Sequence, residues 1–163
     1  MPALDDDLLN QAYRYATALC GERDLAMDLV HASYVKYLER PASTARDPQR
    51  YFLRAVRNTF LDRKRHEARW QYEEEEQADR VVGLDTCALE ALVVNQDLLA
   101  RLWAQLNAAE REVLYLWAVE EYTVDEIAQL TETPRGTLLS RLHRLKKRVA
   151  GRTDVARPAG ALQ

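Results

Sequence analysis

Between Pro134 and Arg152 the chain carries no acidic residue, and hydrogen-bonding and cationic side chains gather on one side of a helical pattern. At about 100° per residue, Gly136, Ser140, His143, Arg144 and Lys147 fall together. Leu138, Leu142, Leu145 and Val149 take the opposite side at helical spacing, with Arg141 and Arg148 on the flanks. A leucine seam with a small, cationic outer face suits the major groove of duplex DNA. Gly136 and Ser140 would let a backbone come close. Arg144 and Lys147 could reach base edges or phosphates, and Ser140 could donate to either. Arg135, Thr137 and Arg141 are better placed for phosphates. The plainer alternative is a helical hairpin whose cations only face water, with His143 silent among them.

A second chemical group lies between Pro48 and Trp70. It mixes Tyr51, Phe52, Phe60 and Trp70 with many arginines and one amide, Asn58. Cations for the backbone with aromatic or amide groups for unstacked bases are what a single-strand binder needs. Phe52 and Phe60 also read as core. Arg54, Arg57, Asn58 and Arg65 then remain as the candidate surface.

No catalytic constellation accompanies these groups. His31, His66 and His143 stand in separate elements, no HExxH or paired-cysteine spacing is present, and no glycine-rich phosphate loop occurs. Neither a metal nor a cofactor is expected. Cys20 and Cys87 lie far apart, as incidental thiols of a reduced, cytoplasmic protein would. No run is long and apolar enough to span a bilayer, so membrane insertion is not expected. The net charge of −3 argues against a protein that coats nucleic acid unaided. Basic residues nevertheless cluster at 46–69 and 135–152, with acids elsewhere. Such a chain would bind DNA when a partner brings it there.

The elements that must position these groups are helical. Glycine and proline number five each, and 47% of the 163 residues are hydrophobic, enough for a real core. Leu8, Ala12, Tyr15 and Leu19 predict a first helix ending near Gly21. Asp24 can cap a second, with Leu25, Leu29, Tyr34, Tyr37 and Leu38 as its apolar side. After the connector PASTARDP, Asp47 followed by Pro48 signals a third helix running to about Trp70, with Phe52, Val56 and Phe60 on one side. Arg50, Arg54, Arg57, Lys64 and Arg65 gather on another. From Gln71 to about Gln96 the acidic run at Glu73–Glu76 and Asp79 predicts a linker of limited order. A second unit begins near Asp97, with Leu98, Leu102 and Leu106. Asn107 with Glu110, and Thr123 with Glu126, are capping-box patterns that start two further helices, the first carrying Val113, Leu116 and Trp117. Thr133 with Pro134 opens the last, and the tail from Thr153 is expected to fray. The expected fold is all-α: residues 1–70 as one small helical domain, 71–96 as an acidic tether, 97–152 as a helix-turn-helix domain and 153–163 as a tail.

In this order, YFLRAVRNTFLDRKR and EYTVDEIAQLTETPRGTLLSRLHRLKKRV resemble regions 2 and 4 of a bacterial RNA polymerase sigma factor of the extracytoplasmic-function (ECF) class. The similarity covers nearly the whole chain. It implies a non-enzymatic subunit of RNA polymerase holoenzyme that directs promoter-specific initiation and needs no cofactor. Asn58 falls where the family contacts the flipped minus-ten base, Arg54 and Arg57 beside the strand, and Tyr51 near the fork between duplex and melted DNA. Ser140, His143 and Arg144 fall where the family reads the minus-thirty-five duplex. The implied partners are promoter DNA, the clamp helices and flap of core polymerase, and an anti-sigma factor. The free protein is expected to be a monomer.

The clamp-docking segment, Asp28, Leu29, Val30, His31, Ala32, Ser33, Tyr34, departs from the family's DLVQE-plus-aromatic pattern. Asp28, His31, Ser33 and Tyr34 are the expected docking residues, with Ser33 as a site where phosphorylation would restore negative charge. Two rivals remain at this point. A stand-alone helix-turn-helix regulator would leave Asn58 without a role. A degenerate sigma-like protein would sequester polymerase or an anti-sigma factor.

Overall fold

The computed structural model describes residues 5–39, 47–68 and 96–153, with the side chains of 68, 96–99 and 149–153 excepted. Among the described residues there are seven α-helices and no strand: α1 Asp6–Cys20, α2 Arg23–Glu39, α3 Pro48–Ala68, α4 Gln96–Trp103, α5 Ala108–Ala118, α6 Val124–Thr131 and α7 Arg135–Thr153. The fold is all-α. The chain divides into two units, the first built on α1–α3 and the second on α4, α5, the first turns of α6, and α7. The connector, the acidic run with Cys87, and the tail beyond Thr153 lie outside the described residues.

In the first unit α1, α2 and α3 pack pairwise against one another. Asp5 caps α1 by accepting the Asp7 N–H at 3.0 Å. Gly21 ends it in the left-handed region at φ 77°, where its N–H reaches the Thr17 carbonyl at 2.8 Å. α1 buries Ala12, Tyr15 and Leu19 as its periodicity predicts, buries Ala16 besides, and half-buries Leu8.

α2 departs from expectation twice. Its first helical residue is Arg23, so Asp24 sits inside the first turn and favours the helix dipole rather than capping the end. Its buried face is Ala26, Leu29, Ser33 and Tyr37, while Leu25, Tyr34 and Leu38 are half-buried on its borders. Small residues at 26 and 33 let neighbouring helices come close, and hydrophobicity alone does not rank them as core.

α3 starts where Asp47 and Pro48 place it. The Arg50 N–H donates to Asp47 Oδ1 at 3.1 Å, and proline occupies the first helical position, where no N–H is needed. Phe52, Leu53, Val56 and Phe60 are buried at helical spacing. The Gln49 amide donates to Gln11 Oε1 at 2.7 Å, tying the start of α3 to α1.

In the second unit the predicted capping boxes form. Asn107 Oδ1 accepts the Glu110 N–H at 2.9 Å, and Glu110 Oε2 accepts the Asn107 N–H at 3.1 Å. At α6, Thr123 Oγ1 accepts the Glu126 N–H at 3.2 Å, and Glu126 accepts the Thr123 N–H at 2.8 Å. α7 packs on α5. Leu138, Leu142 and Leu145 are fully buried on α7, as are Val113 and Leu116 on α5. Each such leucine contributes about 1.5–3 kcal/mol of burial. The turn from α6 to α7 passes through Glu132 at φ 52°, and Pro134 then accepts the N–H groups of Thr137 and Leu138.

Candidate nucleic-acid interface

The α3 surface is organised by the buried phenylalanines on its other side. With Phe52, Val56 and Phe60 facing inward, Tyr51 and Asn58 are exposed, and Arg54 and Arg57 are half-buried. Helical geometry places Tyr51, Arg54, Asn58 and Arg65 within about 60° of one another, with Arg57 about 120° from Tyr51. Tyr51, Asn58 and Arg65 follow at steps of about 10 Å along the axis. The result is an aromatic ring, an amide and a cation in line.

The cations on this helix do not point idly into water. Arg50 pairs with Asp47 at 3.2 Å, Arg65 with Asp62 at 3.4 Å, and Lys64 with Glu67 at 3.5 Å. The Arg65 side chain is 77% exposed, so its pair is worth little and can be exchanged for a phosphate at small cost. Lys36, a residue of α2, reaches Thr59 Oγ1 at 3.4 Å and brings a cation to α3. Such a contact between helices leaves no period along either one.

On α2 the docking set separates. Asp28 and His31 are exposed, and Tyr34 is half-buried. Ser33 is wholly buried, which corrects the expectation that it meets a partner or a kinase. Its hydroxyl donates to the Leu29 carbonyl at 2.6 Å and lies 3.1 Å from Thr59 Oγ1, so it serves the α2–α3 junction. The outward stripe instead contains Met27 and Val35, exposed by 60% and 42%, with His31 between them at helical spacing. Large apolar side chains thus stand exposed on either side of His31.

On α7, Arg135, Gly136 and Lys147 are exposed. Arg135 Nε also reaches back to Asp125 Oδ1 of α6 at 3.0 Å across the turn. A Cβ at Gly136 would meet nothing within 4 Å. Thr137, Arg141, His143 and Arg144 are half-buried. Ser140 is 7% exposed, which corrects its assignment to the open face. His143 Nδ1 and Arg144 Nε are buried with no hydrogen-bond partner among the described residues.

No group of three or more histidine, cysteine or acidic residues that could hold a metal occurs among the described residues. The Cys20 thiol is half-buried and donates to the Glu22 carbonyl at 3.2 Å. No described helix is long and apolar enough to cross a membrane.

Residues 96–149 match the family model for sigma-70, region 4, which spans α4 to most of α7. The whole fold is similar to the sigma factor RpoE from Bartonella quintana, solved in complex with the anti-sigma factor NepR. The TM-score is 0.64 at 21% identity, over 92% of this chain and 94% of that one. At that identity the likeness speaks for the fold, and the region-4 match speaks for residues 96–149. The second unit is thus similar to region 4 of sigma-70 factors, and the chain shares the fold of that sigma factor.

Proposed function

We propose that the first unit captures the melted non-template strand of the minus-ten element while the second anchors in the minus-thirty-five duplex. In this reading residues 1–70 and 97–152 form the two working domains, 71–96 the tether between them and 153–163 a tail. Asn58 receives the flipped base, Tyr51 stacks at the fork, and Arg54, Arg57 and Arg65 hold the strand backbone. Extruding a base costs a few kcal/mol, and stacking on an aromatic ring returns about 1–3 kcal/mol per base. The observation that carries the reading is the line of Tyr51, Asn58 and Arg65 along one side of α3, exposed because Phe52, Val56 and Phe60 are buried on the other.

On α7, Arg135, Thr137 and Arg141 fix the helix to phosphates, Gly136 admits the backbone, and His143, Arg144 and Lys147 face base edges.

Core polymerase is bound through Asp28, His31 and Tyr34 together with Met27 and Val35 on the clamp helices, and through the second unit on the flap. The protein performs no chemistry of its own. It works in the cytoplasm, is a monomer when free, and is held in check by an anti-sigma factor that hides these surfaces.

Run-off transcription with core polymerase tests the reading. Asn58→Ala is expected to cut promoter-dependent product at least about tenfold, the equivalent of one base contact. Full product from that variant would remove Asn58 from the strand site.

A further inference from the structure

The exposed ring of Tyr51 does not stand alone. Its centroid lies 6.0 Å from that of Tyr37 on α2, with the planes tilted by 56°. Tyr37 in turn meets Phe52 edge-on at 5.7 Å and 77°. Exposure rises along this chain of rings: Phe52 is fully buried, Tyr37 is 7% exposed and Tyr51 is 38% exposed. Offset and edge-to-face rings at such distances attract one another beyond the area they bury. Tyr51 is thus backed on one side by a ring fixed in the core and open on the other.

We propose that Tyr37 is a positioning residue for promoter opening, holding the Tyr51 ring ready for an unstacked base. The inference rests on the strand-capture role given to Tyr51 above. A free tyrosine on a helix surface samples several rotamers and loses that freedom when a base stacks on it. A ring already backed by Tyr37 has surrendered much of that freedom on folding. The same helix carries Asp28, His31, Met27 and Val35 on its outer side, so the element proposed to dock on polymerase also sets the stacking ring.

The test uses the full chain with core polymerase and one promoter fragment in two forms, with the minus-ten segment either paired or pre-melted by mismatches. The readout is run-off from the paired template relative to the pre-melted one. Tyr37→Leu is expected to lower that ratio about two- to tenfold, the range one aromatic pair supports. Tyr37→Phe, which keeps the ring, is expected to restore it. In a Tyr51→Ala background, Tyr37→Leu is expected to add nothing, because the ring it holds is gone. Tyr37→Met fills similar space without a ring and replaces Tyr37→Leu if that variant does not fold.

Failure of Tyr51→Ala to lower the ratio would overturn the role of Tyr51 and this inference with it. If Tyr51→Ala lowers the ratio but Tyr37→Leu adds its whole loss on top, the inference alone is overturned. The same holds if Tyr37→Phe is as harmful as Tyr37→Leu.

Discussion

The Arg148 guanidinium on α7 meets the Glu110 carboxylate on α5, Nη1 to Oε2, at 3.0 Å. Glu110 is only 6% exposed, whereas Arg148 is 48% exposed. The same carboxylate closes the capping box on Asn107. One buried group therefore starts α5 and fastens the helix proposed to read DNA against it. Arg148 thereby acts as a structural cation, although its flank position on α7 would also suit a phosphate.

Arg148→Ala should cost the second unit about 1–2 kcal/mol, a charge-assisted hydrogen bond discounted for the half-exposed arginine. Glu110→Ala should cost more, because it removes the cap as well. Glu110→Gln keeps a cap acceptor and should fall between them. Urea unfolding followed by fluorescence of Trp103 and Trp117, both in this unit, gives the order. Equal losses for Glu110→Ala and Arg148→Ala would mean that the cap contributes nothing.

Ser33 makes the corresponding prediction in the first unit. Ser33→Ala should cost about 0.5–1.5 kcal/mol, the net worth of a buried hydrogen bond. Ser33→Asp puts a charge where there is no exposed surface and should unfold the unit or cost more than about 3 kcal/mol. Loss of polymerase binding in Ser33→Asp should therefore track loss of helical circular dichroism. A folded, fully stable Ser33→Asp protein would contradict the burial of this hydroxyl.

The contrast between these residues shows what a single chain can disclose. Caps are local, so Asp47 with Pro48, Asn107 with Glu110, and Thr123 with Glu126 were all legible as helix starts. The leucine seam of α7 and the phenylalanine seam of α3 were legible from period alone. Tertiary pairings were not. Nothing in the spacing joins Glu110 to Arg148, Ser33 to Thr59, or Tyr37 to Tyr51. The face of α2 was misread because Ala26 and Ser33 pack at helix junctions for their small size, while Leu25 and Leu38 outrank them in hydrophobicity.

Gly136 separates stability from recognition. The space around its Cα is open, so Gly136→Ala should fit and should stabilise the second unit by about 0.4–1 kcal/mol through the unfolded chain. The added methyl would stand where the DNA backbone is proposed to approach. Holoenzyme affinity for the minus-thirty-five duplex should fall at least about fivefold, equivalent to 1 kcal/mol. Thermal unfolding and promoter binding should move in opposite directions, and a variant improved in both would show that nothing approaches this position.

Glu121 follows α5 in the left-handed region at φ 56°, while the Tyr122 N–H reaches the Leu116 carbonyl at 2.9 Å. Glu121→Gly should relieve that conformation and stabilise the unit by about 0.5–1 kcal/mol, net of glycine's greater freedom when unfolded. A raised unfolding midpoint checks this. A lowered one would mean that the glutamate side chain itself contributes to the turn.

The central claim is that this chain supplies start-site choice to an enzyme that does the chemistry. Sequencing the 5′ ends of transcripts made by core polymerase from fragmented genomic DNA, with and without the protein, tests it most directly. A new set of starts should appear, each preceded by two separated sequence elements, and the set should vanish with Asn58→Ala. An unchanged distribution of starts would contradict the account.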